Sequence, residues 1–514
     1  MKKYRTTVFL ALSALFLAIA ITACGGRQSG STETKDSLIV ISSGSPSTLD
    51  PTLANDTSSS MVMKQIYSTL FNLDVSTMTI VPGLAERHQF ENDASGQPTR
   101  LRLFLRQGVK FHNGEELKAR DVKFSLDRAK ASPVIAHIVG SIASVEIVND
   151  YEVLITLHYP FVPLLNNLAQ TVISITNEKA VTEGGADYAR NPVGTGPMKF
   201  VNWVTASHID LTRWDEYYGD APKIKDITIR YIGDPATALL EMETGGADLL
   251  LNVQPQDVAR IQANQNLQLI RATGIRIHQL GFNNQKPPFD NPLVRRALFH
   301  AVDTNAIVRT VYQDVGSTGK GPLTSNIWGS AANILPQYEY NPELARQLLA
   351  EAKLPDSFTT SITTFDSPVY VDYAVLIKNM LEQVGVTVDI NVGESASIGQ
   401  LLNRGEHEMF IANWGTTTGD PDYGLTIFHT ASFGSPGNRS FYSNAEVDRL
   451  IEAGRRETNP EQRRQIYLDI QYLIHADTPW IYLWENEILI AAGSKVRGFA
   501  PNPMEHHWLW TAHF

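Results

Sequence analysis

The sequence is nearly free of cysteine. One thiol, Cys24, occurs in 514 residues, and it follows an apolar run close to the N-terminus. Nothing beyond it can form a disulfide, a thiolate metal site or a cysteine nucleophile, so the fold rests on its hydrophobic core. Long apolar runs are scarce too. Val8 to Ile21 is broken only by Ser13 and falls short of the roughly 20 residues a spanning helix needs, and no comparable run follows residue 23. Positive charge is in deficit. Three of the 43 Lys and Arg lie within the first five residues, leaving 40 against 54 carboxylates, a balance of −14. Such an acidic chain argues against nucleic acid or a membrane surface as partner. Signatures of catalysis are missing as well. His407-Glu408 lacks the second histidine of HExxH, and no GxSxG occurs. GSTGKG (316–321) is too short for a phosphate loop and has Gly321 where Ser or Thr would hold magnesium. GTGPMK (194–199) has Lys199 in place of a third glycine. Nothing in the pattern of Asp and Glu marks an acid–base pair, and no cofactor is expected. Among 13 histidines the only adjacent pair, His506-His507, would point apart on a strand, so no metal site is expected.

What is present begins at the N-terminus. Lys2, Lys3 and Arg5 precede the short apolar run, and the small residues Thr22 and Ala23 precede Cys24. This is the anatomy of a secretory signal over residues 1–23. The stretch Ile21-Thr22-Ala23-Cys24 resembles a bacterial lipobox. That resemblance implies lipidation of Cys24, export, and anchoring at the cell membrane on its periplasmic or extracellular face, with two or more acyl chains for stable attachment. Residues 24–36, small and polar, read as a flexible tether. The 491 residues left after the 23-residue signal suffice for more than one domain.

Helix and strand signals alternate throughout the chain. Asp234, Asn291, Asn341 and Asn459 each stand before a proline, the pairing of an N-cap with proline at the first helical position. Leu344, Leu348 and Ala352 line one predicted face; Ile466, Ile470, Leu473 and Ile474 line another, with Gln462 placed for a capping box. ADLLLN (247–252) reads as a buried strand. Leu101, Leu103 and Leu105 alternate as in a half-buried strand, followed by a His112-Asn113-Gly114 turn and a helix with Val122, Leu126 and Ala129 on one face.

RQGVKFHNGEELKARDVKFSLDRA (106–129) is similar to the signature of the large extracellular solute-binding proteins of ABC importers for peptides, nickel and glutathione. NPVGTGPMKF (191–200), KPPFDNPLVRRALFHAVD (286–303) and residues 443–483 match later blocks in order. The resemblance implies an α/β, type II periplasmic-binding fold: two lobes around a ligand cleft plus an inserted domain. Lobe I would comprise 37–68, 200–280 and 480–514, the inserted domain 69–199, and lobe III 281–479. It further implies a non-enzymatic monomer that hands its ligand to an ABC permease while separate ATPase subunits hydrolyse ATP.

Within the family, STLDPTLANDTSSS (47–60), NWGTTTGDPDYGL (413–425) and GNRSFYSN (437–444) resemble the glutathione-binding branch. Dipeptide binders have an acidic residue for the ammonium where Thr417 stands, and an arginine for the carboxylate in the region of ITTFDSPVY (362–370), which has none. The expected ligand is therefore glutathione or an unusual short peptide. A nickel chelate, with His429 as the histidine in the cleft-like region, a haem-like molecule and a peptide signal are the alternatives. Arg439 would pair with a carboxylate. Asp420 or Asp56, or more weakly Asp422, would receive the ammonium, or else form turns. Trp414 would wall the cleft or fill the core. Thr416, Thr417 and Thr418 would offer hydroxyls or simply build an edge strand. Asn55 and Thr57 would face the ligand or cap a turn, and Asn438 would bind ligand or shape its loop.

Overall fold

The computed structural model describes residues 35–54, 56–355, 357–434 and 437–514. The segment expected to be a signal, Cys24, all but the end of the expected tether, and Asn55 lie outside the described residues. The chain divides into two units, Met1–Asp36 with Phe514, and Ser37–His513; every described strand and helix belongs to the second.

Among the described residues, sixteen strands form three sheets. They are β1 (Ser37–Ser42), β2 (Phe71–Leu73), β3 (Ile80–Pro82), β4 (Ala85–Glu91), β5 (Arg100–Leu105), β6 (Ile142–Asn149), β7 (Glu152–Leu157), β8 (Met198–Val204), β9 (His208–Arg213), β10 (Asp226–Tyr231), β11 (Leu249–Leu250), β12 (Leu267–Phe282), β13 (Phe358–Phe365), β14 (Val386–Gly393), β15 (Met409–Gly415) and β16 (Trp480–Gly493). The largest sheet runs β14-β13-β15-β12-β16-β11-β1-β10-β9-β8. It is mixed: β1 lies parallel to β10 and β11, β13 parallel to β14 and β15, and the central pair β12/β16 is antiparallel. At about 3.3 Å per residue the 16 residues of β12 span roughly 50 Å, enough to join the two halves of the sheet.

The β12/β16 register shifts twice, between Thr273 and Ile277 near the middle of the ladder and again between His278 and Gln279. Gly274 is required at the first of these shifts, because a Cβ would lie 2.2 Å from Asn486 Oδ1. The same oxygen accepts the Arg276 backbone N–H at 2.9 Å. This bulge decides where the Arg276 side chain emerges.

A second core surrounds the antiparallel sheet β4-β5-β7-β6. In β5 the expected alternation holds: Leu101, Leu103 and Leu105 are buried while Arg100, Arg102 and Phe104 are not. The helix Ala119–Ala131 packs against them through Val122, Leu126 and Ala129, all buried. Each fully buried Leu or Val contributes on the order of 1.5–3 kcal/mol.

The four proline-led helices start where the caps predict. Asp234 accepts from Thr237 N–H, Asn291 from Leu293, Asn341 from Leu344, and Asn459 from Glu461 and Gln462. Three details differ. Gln462 makes no capping box, because the Asn459 N–H donates instead to Glu457 Oε1 at 2.6 Å. In the helix Pro342–Glu351 the buried residues are Ala345 and Leu349, with Leu344 and Leu348 half-buried beside them, so the apolar stripe centres one position further on. The strand expected over 247–252 shrinks to Leu249–Leu250, since it bridges only β1 and β16 for that length.

Candidate ligand-binding site

β15 leaves the large sheet at Gly415 and turns through residues 416–419. The Gly419 N–H donates to the Thr416 carbonyl at 2.8 Å, and Gly419 has a positive φ of 72°. Asp420 then caps the short helix Pro421–Leu425 by accepting from Asp422 N–H at 2.9 Å. Both Asp420 oxygens are also held by the Arg463 guanidinium, at 2.7 and 2.8 Å, and Asp420 is 2% exposed. Asp420, expected to receive a ligand ammonium or to form a turn, is here a helix cap and the buried half of an ion pair that anchors the loop. Asp422 is likewise held by Arg455 at 2.9 Å, and burial raises its carboxyl above the ordinary range. Asn438 is a framework residue too, bonded through its amide to the carbonyls of His429 and Tyr442 and to the Tyr442 N–H. Thr416 is buried, with its N–H on the Ile275 carbonyl at 3.1 Å.

Three neighbouring cavities open along one seam. The first, about 300 Å³, is lined by Asp56, Thr57, Lys64, Arg276, Thr417 and His506 among others, residues drawn from the N-terminal segment, β12, the 416–419 turn and the C-terminal segment. The second, about 270 Å³, takes in Trp414 and Arg439 and shares Arg276, Thr417 and Tyr423 with the first. The third, about 210 Å³, includes Thr418 and Asp422. Tyr423 lines all three, and its ring stacks on Trp414 with centroids 5.6 Å apart and planes within 5°. Thus Asp56, Thr57, Trp414, Thr417, Thr418, Asp422 and Arg439 border the seam, whereas Thr416, Asp420 and Asn438 line none of these cavities. Across the third cavity, Asn166 donates to the Thr418 carbonyl at 3.2 Å and Val162 N–H to the Arg455 carbonyl at 2.8 Å.

Charge along the seam is one-sided. Arg276 donates to Asn413 Oδ1 at 3.4 Å, Arg439 to Asn403 Oδ1 at 3.0 Å, and Lys64 to Asn72 Oδ1 at 3.4 Å. Each cation rests on a neutral amide, and among the described residues none of the three has a carboxylate within ion-pair distance. Asp56 does not compensate them. It caps the helix Thr57–Ile66, accepting the Ser59 N–H at 2.7 Å and the hydroxyls of Ser47 and Ser59 at 2.6 and 2.7 Å. Burial lowers Lys64 to about 8 and lowers Arg439. Burial, reinforced by the Lys64 charge, takes His506 down to about 3, so it is neutral. A positive, partly dehydrated seam of this kind attracts anions, because charge pairs are screened less there than in water.

Arg276, Lys64 and Tyr423 were not expected from the sequence. A signal existed for the first two. Arg276 interrupts the apolar run IRIHQLGF after Gly274, and Lys64 sits within the apolar helix stretch MVMKQI. A charge on a core-facing element calls for a partner, and among the described residues it finds an asparagine oxygen and no carboxylate.

A family profile described as "Bacterial extracellular solute-binding proteins, family 5 Middle" matches residues 79–435. The chain belongs to this family. The sequence is 31% identical over 481 residues to the glutathione-binding protein GsiB of Pectobacterium atrosepticum, covering 91% of this chain and 92% of that one. It is 29% identical over 537 residues to heme-binding protein A of Haemophilus influenzae, covering 98% and 97%. Among solved structures, the periplasmic binding protein DppA of Helicobacter pylori, in complex with the peptide STSA, matches with a TM-score of 0.74 and 29% identity over 94% of this chain and 98% of that one. The fold is accordingly the two-lobed α/β fold of family 5 periplasmic binding proteins. These relatives are named as binding proteins and not as enzymes. Among the described residues no helix is long and apolar enough to cross a membrane.

Proposed function

We propose that this chain is the solute receptor of an ABC importer and captures glutathione or a short peptide-like ligand in the seam between its lobes. Lobe I comprises 37–68, 200–280 and 480–514, the inserted domain 69–199, and lobe III 281–479. The protein is a monomer without catalytic activity, is held at the membrane through lipidated Cys24, and delivers its closed, loaded form to the permease. The observation that carries the reading is the set of three cations, Lys64, Arg276 and Arg439, each facing the seam on a neutral asparagine. Glutathione brings two carboxylates to such a site, and a charge-assisted bond from arginine is the strong form of that contact. Ligand-driven closure follows if these bonds are stronger in the closed arrangement than in the open one.

Calorimetric titration of the chain from Gly25 onward tests the proposal, after unfolding and refolding to strip any co-purified ligand. Saturable heat with reduced or oxidised glutathione is expected, and little with a plain dipeptide. Silence with every peptide overturns the reading. The likeness to a heme-binding protein over 98% of the chain supports a second reading, and a haem titration followed by absorbance separates the two.

A further inference from the structure

Among the described residues, the seam has cations held only by neutral groups and carboxylates that are all engaged. Of the side chains bordering the three cavities, two are carboxylates, Asp56 and Asp422. Asp56 accepts three bonds from its own loop and helix, and Asp422 is paired with Arg455. A ligand ammonium entering the seam would find neutral acceptors, the threonine hydroxyls and backbone carbonyls, and would stand in the field of Arg276 and Lys64. A ligand carboxylate would meet an unpaired cation at either end of the first cavity. Arg276 marks the border with the second cavity. Lys64 marks the border with a further compartment of about 140 Å³ walled by Tyr217, Tyr218, Trp508 and Trp510. Lys64 also lies 5.3 Å from the Trp508 ring, so it is already positioned without any anion.

We infer that the site selects ligands by two separated carboxylates, read by Arg276 and Lys64, and is indifferent to the ligand's free amine. The inference rests on the peptide-receptor reading and names its specificity: acidic peptides, N-acylated or free. Recognition of an anion by cations on neutral amides costs no existing ion pair, whereas removing Asp56 from its cap to serve an ammonium would sacrifice three hydrogen bonds.

The test is a titration of the refolded chain with glutathione, Glu-Ala-Glu and Ala-Ala-Ala, each free and N-acetylated, and with glutathione diethyl ester. Acetylation of the acidic ligands should change affinity by less than about threefold, and the ester and Ala-Ala-Ala should bind at least about tenfold more weakly. Loss of binding on acetylation overturns the inference and leaves the receptor reading intact. So does equal affinity for the ester. Binding of none of these peptides overturns the receptor reading, and the inference with it. Arg276→Gln and Lys64→Met should each shrink the gap between Glu-Ala-Glu and Ala-Ala-Ala. The ligand series on the unmodified chain decides the matter even if a variant fails to fold.

Discussion

Two groups of charges near the candidate site behave oppositely. Below the 416–425 loop, Asp420 and Asp422 face Arg463 and Arg455, and every charge has its opposite. Along the seam above it, Lys64, Arg276 and Arg439 have asparagine oxygens only. Paired buried charges define a framework; they fix a loop in one position and are costly to break. Cations left on neutral amides hold a place for something the chain does not contain. Residue type alone would have ranked these groups the other way, since a buried aspartate beside a cleft is an attractive anchor for an ammonium.

The contrast can be broken from either side. The largest effect should come from Arg463→Met, which leaves Asp420 charged and buried without its partner. A loss of about 3–5 kcal/mol in denaturant unfolding is expected, and a smaller loss than about 1 kcal/mol would show that the pair is not a framework element. Next, Arg276→Gln should leave the unfolding midpoint unchanged while weakening glutathione about tenfold or more, the scale of one charge-assisted bond of roughly 1.5–3 kcal/mol. Parallel loss of stability and binding would place Arg276 in the framework instead. Arg439→Ala should weaken capture several-fold, and an unchanged affinity would remove it from the site.

Lys64 sharpens the comparison through pH. Its ammonium titrates at about 8 in the free protein because burial disfavours the charge. A bound carboxylate raises that value. The contribution of Lys64 to binding is therefore complete below about pH 8 and is lost as pH rises through the raised value in the complex. The groups around it do not confuse the window: His506 stays neutral above about 3, and burial lifts Tyr217 and Tyr218 above their ordinary range. Affinity for N-acetylated Glu-Ala-Glu, which has no amine or thiol to titrate, measured from about pH 7 to 9.5 should fall for the native chain and stay level for Lys64→Met. A level profile in both would separate Lys64 from the ligand. The smallest effect on binding is expected from Cys24→Ser, which should leave affinity unchanged yet move the protein out of the membrane fraction.

Much of the fold was legible in local residues. The Asn-Pro and Asp-Pro starts, the alternation of β5, and the Val122/Leu126/Ala129 face all depend on neighbours a few positions away, and the structure realises them. The site was legible only in part. The loops at 47–60 and 413–425 do border the seam, and Thr57, Trp414, Thr417 and Arg439 stand on it. Yet Asp420 is neutralised by Arg463, 43 residues further along, a pairing no local pattern displays. Arg276 reaches the seam because a bulge in β12 turns it there, and the bulge is set by Asn486 on β16, 210 residues away. Asn403, Asn413 and Asn72 are unremarkable in sequence; only their meeting with three cations gives them meaning.

The long central ladder constrains how capture can be reported. β12 and β16 stay paired from Leu267 to Gly281 through two register shifts, one between Thr273 and Ile277 and one between His278 and Gln279. Both strands are buried on both faces over much of their length, so a slip by one residue would misplace packed side chains on each face and break the backbone pairing. The ladder therefore opposes sliding of the two halves of the sheet along it. On the proposed receptor function, occupancy would be reported as an angle between two faces, in the way a caliper is read, because the lengths on either side of the joint would stay the same.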